Sequence, residues 1–120
     1  MGGFTITQVD QLVNNVGQKR VILRATGPAS YDTGGSVLAL DTSVSILGKE
    51  YGFPKVFGVR RVGLGAAAAG QYAVEYIPAA ANAPATGVVL ARDLAAAADA
   101  QVSNAADLSA HTFVFEVMGT

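Results

Sequence analysis

Short apolar segments, separated by turns that contain Gly or Pro, recur along the whole chain. Within these segments, β-branched and aromatic residues at alternating positions favour β-strands over helices. Short strands that follow one another this often are typical of an antiparallel sandwich or barrel. The predicted strands are 20–25, 37–38, 56–63, 71–77, 87–92 and 112–117.

One short helix is the main exception to this pattern. Residues 41–43 are Asp, Thr and Ser, whose side chains cap helices, and Gly48 ends the helix predicted over 43–47. The sequence therefore predicts an all-β fold, a compact antiparallel β-sandwich of jelly-roll type with one short helix. It predicts a single domain over 1–120, divided into a flexible N-terminal arm at 1–17 and the β-sandwich at 18–120.

The sequence also predicts how two of the strands pair and what structure the less regular segments adopt. Strands 56–63 and 71–77 are expected to pair as a hairpin through the Gly- and Ala-rich segment between them. Residues 5–9 alternate only weakly, and 8–17 could instead form a short turn of helix that ends at Gly17, so this segment is expected to be irregular. The Ala-rich segment 94–101 has a high helix propensity, but a short isolated helix is marginal, so loop or strand is favoured there.

Large apolar side chains, rather than the many alanines, are expected to form the core, because Ala buries little area. The final strand should lie inside this core. The predicted core residues are Phe4, Leu23, Leu38, Ile46, Val59, Tyr72, Val74, Tyr76, Val89, Phe113, Phe115 and Val117.

The charge and composition of the chain favour protein partners over nucleic acid. The 120 residues carry a formal net charge of -1, and only 14% of them are charged. Nucleic-acid binding requires many Lys and Arg side chains on phosphates, so it is not expected. A weakly charged surface rich in Ala and Gly is instead typical of a subunit that is covered by other proteins in an assembly.

The termini and the apolar runs indicate where the protein is made. The first residues lack the basic and apolar regions of a signal peptide, and no apolar run approaches the length of a membrane span. The chain has no cysteine, so neither disulfides nor thiolate chemistry is available. We expect synthesis in the cytoplasm and no membrane partner.

Residues that could support catalysis do not form a recognisable set. His111 follows Ser109 and Asp107 closely, whereas a catalytic triad is assembled from distant elements. Glu75 and Glu116 lie on separate strands and would form a glycosidase pair only at a suitable separation. A hydrolase that uses either carboxylate stays an alternative, but the expectation is that the protein is not an enzyme.

Cofactor and metal sites are not expected either. The run Gly63-Leu64-Gly65 resembles the start of a dinucleotide fingerprint, but Ala replaces the third Gly and a hairpin surrounds it. Asp93, Asp99 and Asp107 lack the spacing of a calcium loop. We predict no catalytic residues, no cofactor and no metal.

Basic residues cluster at two of the predicted strands, each cluster including the lysine just before the strand. Lys19, Arg20 and Arg24 form the first cluster, and Lys55, Arg60 and Arg61 form the second. Solvated strand edges explain both clusters simply. The alternative is that these arginines pair with carboxylates on a neighbouring subunit, for which their planar, multi-donor heads are suited.

Turn and strand signatures carry a resemblance to a family. Tyr31, Gly34, Gly35 and Leu38 match a Tyr-x-x-Gly-Gly-x-x-Leu pattern. The second half adds Glu75-Tyr76, the turn 79–82, the segments 88–90 and 106–109, and the strand 112–115 before Gly119. In these features the chain resembles small structural proteins of tailed-phage virions.

This resemblance implies a capsid decoration, or cement, subunit with a sandwich or jelly-roll fold on the capsid exterior. The implied partner is an HK97-like major capsid protein, and the expected assembly is a homotrimer. A receptor- or carbohydrate-binding module of the virion or tail is the alternative, in which Tyr31, Tyr51 and Tyr72 would stack on sugars. The expected capsid contacts are the loop 27–35 and the arm 1–17, with the residues Phe4, Arg20, Arg24, Tyr31, Asp32, Arg60 and Arg61.

Overall fold

The computed structural model describes residues 3–15, 17–63, 72–94 and 100–120, and these contain seven β-strands. One short helix, α1, covers Gly48–Tyr51, and a single 3-10 turn covers Ala80–Asn82. The strands are β1 (Thr5–Asn15), β2 (Gln18–Thr26), β3 (Ser36–Val37), β4 (Val56–Gly63), β5 (Tyr72–Ile77), β6 (Val88–Asp93) and β7 (Thr112–Gly119).

The strands form two antiparallel sheets. The four-stranded sheet has the order β1-β2-β7-β4, and the three-stranded sheet has the order β3-β6-β5. The all-β, antiparallel sandwich predicted from the sequence is therefore confirmed. A jelly roll has eight strands in two Greek keys, whereas the described residues hold seven strands, so the jelly-roll arrangement stays a prediction.

Strand β7 lies at the centre of the four-stranded sheet, between β2 and β4. Its alternating side chains point to opposite sides: Phe113, Phe115 and Val117 enter the core, and Val114 and Glu116 lie on the outer side. The prediction that the final strand lies in the core is confirmed.

Side chains from both sheets fill the core. Phe4 packs edge-on against Phe113 and Phe115, with ring centroids 5.8 and 6.0 Å apart. Four predicted core residues are only partly buried, and Ile46 is 44% exposed because it lies in a surface turn rather than a helix. The predicted core residues that are buried are Phe4, Leu23, Leu38, Val89, Phe113, Phe115 and Val117, and those partly buried are Val59, Tyr72, Val74 and Tyr76.

The helix begins where the sequence predicted that it would end. The segment 43–47 forms consecutive turns, in which the amides of Leu47 and Gly48 both donate to the carbonyl of Val44. The Asp41 carboxylate accepts a hydrogen bond from the Ser43 hydroxyl, and no side chain caps α1. Because the capping oxygens satisfy each other, they do not start a helix at 43, and the prediction is wrong there.

The segment predicted to be irregular is strand β1, which pairs with β2 along its length. Phe4, just before this strand, and Ile6 within it are buried in the core. Register shifts between Ile6 and Gln8 and between Val9 and Gln11 interrupt the alternation of side chains. These two irregularities explain why the sequence alternates only weakly, and they correct the arm boundary predicted at residue 17.

The hairpin predicted between 56–63 and 71–77 is wrong. Strand β4 pairs with β7 and strand β5 pairs with β6, so the two segments belong to different sheets. The segment 64–71 between them lies outside the described residues. Residues 95–99, most of the segment for which loop or strand was favoured, also lie outside them. In the part of the chain that the structure describes, no helix combines the length and apolar character needed to cross a membrane.

Candidate functional site

Three arginines lie on the side of the four-stranded sheet that faces away from the core. Arg20 and Arg24 on β2 are opposite Met118 and Val114, and Arg60 on β4 is opposite Glu116. Since residues two apart on a strand share a face, the central position of β7 brings these arginines together. We call Arg20, Arg24 and Arg60 the outer arginine face.

Glu116 is the carboxylate at the centre of this face. Its Oε1 accepts a hydrogen bond from Nε of Arg60 at 2.8 Å, and its Oε2 lies 3.6 Å from Nε of Arg20. The Glu116 side chain is 9% exposed, whereas those of Arg20 and Arg60 are 49% and 70% exposed. One buried carboxylate is therefore shared by two guanidinium groups whose other donors face solvent.

Arg24 has a partner of its own. Its Nε donates to Oδ2 of Asp10 at 2.9 Å, and Oδ1 of Asp10 accepts a bond from Gln8 at 2.6 Å. The face thus combines three arginines with the two carboxylates of Asp10 and Glu116. A shallow depression of about 160 Å³ adjoins it, lined by Val13, Gln18, Arg20 and Met118.

Exposed apolar side chains border this face on the edge strand β4. Register shifts interrupt the pairing with β7 between Val56 and Gly58 and between Arg61 and Gly63. The residues at the two bulges, Phe57 and Val62, are 55% and 42% exposed. Bulges twist an edge strand and redirect its side chains, so these two apolar groups flank Arg60 at the surface.

Two of the seven expected contact residues are not available to a partner, and this corrects the expectation for them. Phe4 is buried against Phe113 and Phe115, and Tyr31 is fully buried with Ala91, Val102 and Leu108. Both aromatic rings lie in the interior because they fill the space beside the sheets.

Asp32 and Arg61 lie away from the outer arginine face. Asp32 belongs to a tight turn, in which its carbonyl accepts from the amide of Gly35 and its amide donates to Oγ of Ser36. The Arg61 guanidinium lies 5.4 Å from the ring centroid of Phe113 and donates to the carbonyl of Tyr72. Arg61 therefore links the two sheets from the inner side.

The loop 27–35 is fixed to the segment that precedes β7. The Tyr31 amide donates to the carbonyl of Ala106 at 2.8 Å, and the Tyr31 carbonyl accepts from the amide of Ala105 at 2.7 Å. The Gly27 amide donates to the carbonyl of His111, and the Leu108 amide donates to that of Pro28. The structure thus gives this expected contact loop a structural role within the chain.

The carboxylates considered for hydrolysis do not meet. Glu116 lies on the outer side of the four-stranded sheet, while Glu75 is exposed on β5, whose alternate residues Val74 and Tyr76 pack against the core. The two carboxylates are on opposite outer sides of the sandwich. Since stacked sheets are about 10 Å apart, this separation exceeds that of a glycosidase pair.

Asp107, Ser109 and His111 also have no triad arrangement. Oδ1 of Asp107 accepts bonds directly from the amide and the hydroxyl of Ser109, at 2.9 and 2.6 Å. These two bonds hold the pKa of Asp107 below its usual range. Nδ1 of His111 is buried without a hydrogen-bond partner among the described residues, which also contain no cluster of three or more metal-ligating side chains.

A second concave site lies at the end of the three-stranded sheet. It has a volume of about 230 Å³, and its lining includes Tyr72, Gln101 and Ser103. Of the three tyrosines expected to stack on sugars, Tyr31 is buried, while Tyr51 and Tyr72 are partly buried against the core. Tyr72 also lines this pocket.

Comparison with known proteins adds no family to this geometry. No family model matches the chain, and no curated protein or solved structure is significantly similar to it.

The arginines were found from the sequence as basic clusters, but Phe57, Val62 and Gln101 were not singled out. Phe57 and Val62 could have been found only by recognising bulges, which depend on pairing with β7.

Proposed function

We propose that this protein is a capsid decoration subunit that binds the outside of an HK97-like major capsid shell and stabilises it. The observation that carries the proposal is the outer arginine face, bordered by exposed Phe57 and Val62 on β4. Exposed apolar and arginine side chains side by side are typical of protein–protein contacts. The turn and strand signatures that resemble tailed-phage virion proteins supply the identity of the partner.

Charge complementarity indicates what the partner presents. Arg20 and Arg60 share one carboxylate and keep further donors at the surface, since both side chains are about half exposed or more. An Arg head binds a carboxylate through two parallel hydrogen bonds. The partner surface is therefore expected to place Asp or Glu side chains over Arg20 and Arg60 and an apolar patch over Phe57.

Stabilisation of a shell requires contact area and repetition rather than chemistry. A contact of about 800 Å² per partner is sufficient for a specific interface. Repeated contacts around a closed shell add avidity, so each interface can be modest. In this proposal the subunit is a homotrimer over local three-fold positions and bridges neighbouring capsid proteins on the capsid exterior.

Binding to capsids that lack the protein tests the proposal. Purified protein is mixed with such capsids, and the bound fraction is measured after sedimentation. We expect Arg60→Ala and Phe57→Ala to weaken binding about tenfold each, as for central interface residues. Matched controls on the three-stranded sheet, Arg92→Ala and Ile77→Ala, should stay within about twofold of the unaltered protein.

The binding results test the decoration function and the contact surface separately. Absence of binding by the unaltered protein would contradict the decoration function. Binding that all four variants retain would keep the function but reject the outer arginine face as the contact. Circular dichroism of each variant confirms that its fold is unchanged, because Arg60 also bonds to Glu116.

A further inference from the structure

The pocket at the end of the three-stranded sheet has walls that are already in place. Backbone hydrogen bonds join the segment that precedes β7 to β6: the Val102 amide donates to the Ala91 carbonyl at 3.0 Å, and the Asp93 amide donates to the Ala100 carbonyl at 2.9 Å. Its volume, about 230 Å³, is below the roughly 300–1,000 Å³ of sites for drug-sized ligands. The pocket therefore suits one small ring.

Gln101 supplies hydrogen-bond donors to this pocket. Its Oε1 accepts from the amide of Gly34 at 2.6 Å and from the hydroxyl of Tyr31 at 3.1 Å. A backbone amide can only donate, so the orientation of the Gln101 side chain is fixed. Its amide nitrogen keeps both donors and has no hydrogen-bond partner among the described residues.

The carboxylate of Asp107 supplies an acceptor. Asp107 lines the pocket and uses only Oδ1 for its bonds to Ser109. Oδ2 of Asp107 has no hydrogen-bond partner within the described part of the chain. Because its pKa is held below the usual range, Asp107 is ionised at neutral pH and accepts strong hydrogen bonds.

Tyr72 adds an aromatic surface and a further hydroxyl. His111 packs edge-on against its ring, with the centroids 5.0 Å apart. Burial, with the nearby Asp93 carboxylate, raises the pKa of Tyr72, so its hydroxyl stays protonated at neutral pH. An aromatic ring beside separate donors and acceptors defines the chemistry of the pocket.

We propose that this pocket binds one ring of a neutral saccharide, with Tyr72 against its C–H face and Asp107 and Gln101 on its hydroxyls. A hydroxyl both donates and accepts, so it satisfies Oδ2 of Asp107 and the Gln101 amide nitrogen together. An ammonium group only donates and would leave the Gln101 donors unpaired. An anion would be repelled by the ionised carboxylate of Asp107. This inference is independent of the capsid decoration function.

Amide chemical shifts of isotope-labelled protein test the proposal. The probes are free glucose, galactose, mannose, rhamnose and N-acetylglucosamine, each titrated into the millimolar range, with methylammonium chloride as the cationic probe. We expect at least one sugar to shift the amides of residues 72, 93 and 100–108 in a saturable manner. Shifts elsewhere should be small.

Substitution of one carboxylate identifies the contact. Asp107→Asn should weaken sugar binding about tenfold, since it replaces an ionised acceptor by an amide donor. Asp41→Asn is the matched control, because Asp41 also accepts a bond from a Ser two residues later but lies outside the pocket. This control should bind with unchanged affinity.

Three results would overturn the inference. The first is the absence of saturable shifts with every sugar. The second is a shift with methylammonium alone, which would indicate a cation site. The third is sugar binding whose shifts lie outside the pocket. Should Asp107→Asn fail to fold, the chemical shifts of the unaltered protein decide between these results. Sugar titration of the pocket variant Ser103→Ala then takes the place of the Asp107→Asn titration.

Discussion

Two tyrosine hydroxyls in the interior differ in their hydrogen bonding. Oη of Tyr31 accepts from the amide of Ala91 at 3.0 Å and donates to Gln101. Oη of Tyr76 is buried and has no hydrogen-bond partner among the described residues. Burial raises the pKa of both side chains, so both hydroxyls are protonated at neutral pH. The two residues provide a matched comparison of a paired and an unpaired buried hydroxyl.

Removal of each hydroxyl should affect stability differently. Tyr31→Phe leaves the buried Ala91 amide unpaired and should lower the free energy of unfolding by about 1–3 kcal/mol. Tyr76→Phe removes a group without a partner and should be neutral or stabilising. Urea denaturation of both variants measures the difference. Equal losses from the two substitutions would contradict this assignment.

At the scale of single residues, the sequence predicts local turns but not contacts between residues that are far apart along the chain. The Gly-Gly turn after Tyr31 was predicted, and Gly34 and Gly35 have φ of 96° and 117°, which favours glycine. The burial of Tyr31 was not predicted, because its hydroxyl partners are 60 and 70 residues away. A local sequence pattern can identify a turn, but it cannot identify the distant residues to which the side chains of that turn bond.

Strand β7 is the element on which the fold depends most. Phe115 is 1% exposed and contacts the rings of both Phe4 and Phe113. Phe115→Ala should lower the free energy of unfolding by about 3–5 kcal/mol, a large part of the stability of a small domain. Phe57→Ala is the control, since Phe57 is 55% exposed and should cost no more than about 0.5 kcal/mol. Similar thermal shifts for both variants would argue against this core.

Strand β1 should be required for folding, in contrast to a dispensable arm. Deletion of residues 1–15 removes Phe4 and Ile6 from the core and exposes the edge of β2. We expect a marked fall in the melting temperature together with aggregation in gel filtration. Deletion of residues 1–3 alone is the control. An unchanged melting temperature for the longer deletion would restore the arm interpretation.

Strands were predictable where alternation is regular, and their partners were not. Strands β2, β4, β5, β6 and β7 all follow from their apolar patterns. Strand β1 was missed because two register shifts interrupt its alternation. The β4–β5 hairpin was wrongly predicted, since β4 pairs instead with β7, a strand far along the chain. Periodicity identifies an element but does not specify its neighbour.

The whole molecule carries two candidate surfaces, one on each sheet. The outer arginine face lies on the four-stranded sheet, and the pocket with Tyr72 lies at the end of the three-stranded sheet. The sequence identified the arginines as members of two basic clusters. That they lie on one face could not be predicted, because it depends on β7 lying between β2 and β4. Because the two surfaces are separate, the proposed capsid contact on one side would leave the proposed saccharide pocket on the other side accessible.

The proposed function places this protein on a phage virion, and cryo-electron microscopy of that particle tests the capsid decoration function most directly. The account predicts density for the β-sandwich on the capsid exterior, with the outer arginine face and Phe57 against the major capsid protein. Density with a different face toward the shell would reject the contact surface alone. Virions whose capsid exterior lacks the protein would contradict the central claim.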